Sequence, residues 1–188
     1  MKKTFIINAK RLLAVLPLML FALAASAQAG GGESAAERST SVFAERLMGE
    51  LSVGVGTRCN DVTPLEFSGK LGYRFIPRMY AFVHAGGLYG MYGKDSGQRY
   101  TKSANLGGGL GYTLFQDKGE ALQLDVRGTV AASVGNADWK HVLYDAALVF
   151  RVGRGIKMDI GVGFRHVSSR TAGIGTYNGF YGTIGFGF

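Results

Sequence analysis

Apolar and polar residues alternate with a two-residue period through eight stretches between residue 50 and the last residue, Phe188. Strict alternation over such lengths predicts strands with two unlike faces. The predicted strands cover residues 50–58, 65–75, 79–92, 104–115, 121–134, 141–152, 156–168 and 178–188. In the second, Leu65, Phe67, Leu71, Tyr73 and Phe75 share one face, and Glu66, Ser68, Lys70 and Arg74 the other. The fifth sets Leu122, Leu124, Val126 and Val130 against Gln123, Asp125, Arg127 and Thr129. The sixth opposes Val142, Tyr144, Leu148 and Phe150 to Asp145 and Arg151. The seventh opposes Met158, Ile160, Val162 and Phe164 to Lys157, Asp159 and Arg165. The third places Tyr80, Phe82 and His84 on one face, which leaves its phase open.

A soluble β-sandwich also alternates, but its apolar faces interlock inside. Here the face opposite the apolar one is rich in both glycine and charge, which suits the narrow polar interior of a barrel whose outside meets lipid. Residues 76–78, 116–120 and 153–155 read as tight turns. They alternate with segments that are mostly longer, at 59–64, 93–103, 135–140 and 169–177. Lipid offers no partner for backbone groups, so the sheet must close. The expectation is an all-β, eight-stranded antiparallel up-and-down transmembrane β-barrel over residues 49–188, with both ends periplasmic and a monomer's size.

Ahead of it, Met1, Lys2, Lys3, Lys10 and Arg11 precede an apolar run from residue 12 to 25, and Ala27-Gln28-Ala29 offers a small-x-small cleavage site. This is the pattern of a secretory signal peptide cut after Ala29. The run is shorter than the ~20 residues that a spanning helix needs. Residues 30–48 then form a periplasmic linker with a short helical turn around 43–48. The destination is a bacterial outer membrane. Losing Lys2, Lys3, Lys10 and Arg11 leaves 17 basic residues against 13 acidic, a net charge of +4. That is too mild for nucleic acid, while a basic surface suits anionic lipopolysaccharide. Cys59 is the single cysteine and has no internal partner.

Buried charges survive only when paired, and eight strands leave room inside only for side chains. Glu50, Glu66, Lys70, Arg74, Asp125, Arg127, Asp145, Arg151, Lys157, Asp159 and Arg165 are therefore expected to fill the lumen as an ion-pair network, joined by Arg58. Tyr89, Tyr92, Tyr100 and Trp139 are expected in an interfacial aromatic girdle. The segment 93–103, with Lys94, Arg99, Tyr100 and Lys102, is the best candidate for contact with a partner. His84, His141 and His166 stand on separate strands without metal-ligand spacing, and no cofactor is expected.

This pattern, ending in Phe180, Ile184, Phe186 and Phe188 with Tyr181 among them, resembles the small eight-stranded outer-membrane barrels of the OmpX and OmpA-transmembrane-domain type. The resemblance implies recognition of the last strand by the barrel-assembly machinery, and outer-membrane lipid and lipopolysaccharide as surroundings. It implies no particular activity, because function on this architecture varies. A structural or surface-interaction role with a charge-plugged lumen is the expected function.

One segment, Arg165-His166-Val167-Ser168-Ser169 with Ala172-Gly173-Ile174 and Asn178-Gly179 behind it, resembles the signature of PagL-type lipid A deacylases. That resemblance implies a His166–Ser168 dyad facing lipid, with the serine attacking an acyl ester and the imidazole taking its proton. The family's third member is a glutamate on the next strand. No Asp or Glu follows Asp159 in this chain, which leaves Asn178 to orient His166.

Overall fold

The computed structural model describes residues 45–59, 61–92 and 100–188. They form eight strands: β1 (Leu47–Gly56), β2 (Val62–Ile76), β3 (Met79–Tyr92), β4 (Tyr100–Gln116), β5 (Leu122–Val134), β6 (His141–Val152), β7 (Lys157–Ser169) and β8 (Tyr177–Gly187). Each strand pairs antiparallel with the next, and β1 closes on β8 from Glu50↔Gly187 to Gly56↔Tyr181. Closure satisfies every strand's hydrogen-bonding edge, as a lipid surrounding demands. The chain is an eight-stranded, all-antiparallel transmembrane β-barrel.

The expected signal peptide and the linker up to residue 44 lie outside the described residues. Leu47 and Met48, assigned to that linker by the sequence, already belong to β1. β2 begins at Val62 and β4 at Tyr100, so the loops before them are shorter than the alternation suggested. Residues 93–99 of the candidate contact segment lie outside the described residues, while Lys102 stands exposed on β4.

The outer face is apolar all the way round. Phe67, Val83, Leu106, Leu110, Val130, Val162, Phe180 and Phe186 each keep more than half of their surface open. Phe188 and Ile184 share that face. In water such a continuous apolar belt would drive aggregation, whereas in a bilayer it is the solvated surface. Bulges at Arg74/Ile76 and Thr113/Phe115 break the alternation near the tight-turn end. The second bulge turns both Leu114 and Phe115 outward.

The third strand's phase follows from its neighbour. Tyr80, Phe82 and His84 point inward and are almost wholly buried, and across from them on β4 stand Gly111, Gly109 and Gly107. A Cβ at Gly111 would collide with the Tyr80 ring, and one at Gly109 with the Phe82 ring. The glycines of β4 thus leave room for the large rings of β3, which eight strands could not otherwise enclose.

Candidate functional site

Inside the barrel the side chains stack in three tiers. Near the tight turns, Glu50 accepts from Lys70 Nζ at 2.7 Å and Arg151 Nη2 at 3.2 Å, and directly from Arg127 Nη1. The Tyr80 hydroxyl donates to Asp125 Oδ2 at 2.7 Å and accepts from Arg127 Nε at 2.7 Å. Arg151 also lies 3.5 Å from Asp159 and 3.6 Å from Asp125. Three carboxylates therefore face three cations around one phenol, the balance that a desolvated charge cluster requires.

The middle tier is built on Arg165. Its Nη2 reaches Glu66 at 2.7 Å and Asp145 at 3.1 Å, and its guanidinium lies 4.2 Å from the centre of the Tyr181 ring. His84 Nε2 stands 3.3 Å from Glu66. Above, towards the longer loops, the third tier is apolar. Val62, Leu88, Ala131, Trp139, Leu143, Val167 and Tyr177 pack into one buried cluster. The Trp139 indole donates to Ser169 Oγ at 3.2 Å, so its one polar atom is satisfied. His141 sits beside it, its Nδ1–H donating to the Trp139 carbonyl at 2.9 Å. Two pockets among the charged tiers measure about 10 and 20 Å³, each room for about one water.

Several expected residues stand elsewhere. Arg58 lies beyond β1, exposed, and pairs with Asp61 at 2.7 Å in the loop. Arg74, in register with Tyr80 and next to the bulge, reaches the Pro77 carbonyl at 3.2 Å at the tight-turn rim. Lys157, at the start of β7, does turn inward, donating to the buried Gln123 Oε1 at 3.4 Å, but forms no ion pair among the described residues. Trp139 is not a girdle residue: it follows the turn after β5 inward and is fully buried. Tyr89 does face outward, whereas Tyr92 packs against the apolar plug. Tyr181 stands on the face opposite Phe180, Ile184 and Phe186, as the alternation of the last strand has it, and lies inside. Alternation missed the roles of Tyr80 and His84, because aromatic and imidazole side chains do not announce a lumen as charges do. The alternate glycines facing them were the available signal.

Towards the long-loop rim, the outer wall carries a polar patch on β7 and β8. His166 on β7 and Asn178 on β8 are cross-strand partners, and His166 Nδ1–H donates to Asn178 Oδ1 at 2.6 Å. This leaves Nε2 as the ring's acceptor nitrogen. The Tyr144 ring, across on β6, lies 6.1 Å from the imidazole. Ser168 is two residues further along β7 and shares that face, half-buried. No hydrogen bond joins Ser168 to His166 among the described residues. The three side chains named from the sequence are thus brought to one patch near the long-loop rim, with one of the two contacts that a triad needs. Among the described residues, no group of His, Cys, Asp and Glu could hold a metal ion.

No family model matches the sequence, and no curated protein matches it. Solved structures do. A de novo designed transmembrane β-barrel is 16% identical, with 76% of this chain and 93% of that one covered and a TM-score of 0.46. The outer membrane enzyme PagL is 14% identical over 73% of this chain and 96% of its own, at a TM-score of 0.44. Neisserial surface protein A is 10% identical over 75% and 92%, at 0.47. These likenesses concern the fold alone.

Proposed function

We propose that the protein is a non-conducting barrel of the bacterial outer membrane that works through its outer wall and rim, as a structural and surface-interaction element. The observation that carries this reading is the filled lumen, two tiers of charge beneath an apolar plug around Trp139. A path for ions would need continuous water, and the two pockets among the charged tiers have room for about one water each. The described long-side connections after β1, β5 and β7 are short, with residues 135–140 and 170–176 bridging the strand ends. The wall and its rim, joined by the candidate contact segment 93–103, are the proposed working surface. Density-gradient fractionation with heat-modifiable gel migration tests the placement. Banding with the outer membrane is expected, and recovery as a soluble periplasmic protein would overturn it.

A second reading, acyl-ester hydrolysis of a glycolipid such as lipid A, draws support from the 2.6 Å contact between His166 and Asn178. The contact orients the imidazole and frees Nε2 to serve as a base for Ser168. Two features weigh against it: the serine is not bonded to the base, and the orienting group is an amide. Replacing a triad carboxylate by an amide costs about 10⁴ in kcat in serine proteases. The non-catalytic reading is therefore the stronger.

A further inference from the structure

Directly above the His166 patch, two cations stand side by side at the long-loop rim. The Arg170 amide donates to the Lys140 carbonyl at 2.7 Å, which extends the β6–β7 ladder one step past His141↔Ser169. Both side chains are exposed and fall on the outward positions, in line with Val142 and Tyr144 on β6 and with Ser168 and His166 on β7. Like charges directly across a ladder repel. Here no carboxylate relieves them: neither has an ion-pair partner among the described residues, and the exposed Asp138 nearby pairs with neither.

The platform beneath them is fixed. Lys140 is flanked by Trp139 and His141, both buried, and its amide donates to Thr171 Oγ1 at 2.7 Å. Arg170 follows Ser169, whose Oγ holds the Trp139 indole. The two cations are thus presented by an ordered rim, a geometry that lowers the cost of binding an anion. Below them, at about 3.3 Å per residue, come Ser168 after one two-residue step and His166 with Asn178 after the next. Further down the same wall is apolar, through Phe164, Leu148 and Val162.

We infer that Lys140 and Arg170 form a binding site for the phosphate of an acylated glycolipid in the outer leaflet. The vertical order of the wall matches such a molecule: phosphate at the cations, sugar and ester oxygens at the polar row, and acyl chains along the apolar strip. The planar fork of the arginine guanidinium suits two phosphate oxygens, and lysine adds a point charge. A glycerophospholipid would bring the charge without the broad polar zone that Ser168, His166 and Asn178 provide. The site rests on the reading of the wall as the working surface, and it does not require that Ser168 or His166 cleave anything.

The test is titration of the purified protein, in phosphatidylcholine nanodiscs, with fluorescent bis-phosphorylated lipid A. Saturable binding is expected, weakened about tenfold or more in Lys140→Gln/Arg170→Gln. Binding should persist in the charge-keeping Lys140→Arg/Arg170→Lys, and in Lys118→Gln/Arg154→Gln at the opposite rim. Heat-modifiable migration checks that each variant is folded. Dephosphorylated lipid A should bind as weakly as the glutamine variant sees the intact lipid, and phosphatidylglycerol should fail to compete. Equal binding by wild type and glutamine variant, equal binding of the dephosphorylated lipid, or competition by phosphatidylglycerol would each overturn the site. None of these outcomes bears on conductance, so the two claims fail separately.

Discussion

Tyr80 on β3 faces Gly111 on β4 across the ladder, and its ring fills the space where any side chain at position 111 would stand. The pairing lets a phenol reach the barrel axis, where its hydroxyl links Asp125 to Arg127. Tyr181 repeats the relationship with Gly163 on the other side of the lumen, beneath the Arg165 guanidinium. Small residues on one strand and rings on the next set how a narrow barrel is filled.

Gly111→Ala should therefore cost about 1–3 kcal/mol, the usual penalty of overpacking. Combining it with Tyr80→Ala should be less than additive, by at least about 0.5 kcal/mol, because the ring is the obstacle. Urea unfolding of the barrel in lipid vesicles measures both. Strict additivity would mean that the added methyl meets something else.

Glu50 is the hub of the lower tier, and Glu50→Gln removes the carboxylate shared by Lys70, Arg127 and Arg151, leaving Lys70 without an ion pair among the described residues. Loss of one partner from a buried ion cluster costs about 3–5 kcal/mol. Glu66→Gln should cost less, since Arg165 keeps Asp145. The order of the two urea midpoints is the readout.

Trp139 is the chain's single tryptophan, and it is fully buried in the lumen. Its emission should be blue-shifted and should resist quenching by brominated lipids, which would readily quench a girdle tryptophan. Strong quenching would put the indole back on the outer wall.

The architecture was legible because its cause, lipid outside and charge inside, writes itself into every second residue. Positions such as Asp125, Arg127 and Arg165 could be assigned inward from their own strands. β3 resisted because Tyr80, Phe82 and His84 are large and weakly polar, and their placement depends on the glycines of a neighbouring strand. Trp139 was misplaced for a similar reason. An aromatic residue near a rim suits a girdle or a plug equally, and the choice turns on a loop that folds inward to Ser169. Arg74 and Lys157 keep their inward parity but stand at the tight-turn end, where Arg74 meets the Pro77 carbonyl and Lys157 meets Gln123 instead of a carboxylate.

On the wall, the His166–Asn178 contact shows that the two motif residues meet, yet the account assigns them no catalysis. Mass spectrometry of lipid A from cells expressing wild type, His166→Ala and Ser168→Ala should give one unchanged acyl pattern. Loss of a single acyl chain with wild type, restored in both variants, would establish the hydrolase reading instead.

Planar-bilayer recording of the purified protein tests the filled lumen most directly. The account predicts a silent membrane after insertion is verified, because the charge tiers and the Trp139 plug leave no continuous water. Stable, reproducible single-channel steps from the wild-type barrel would contradict it.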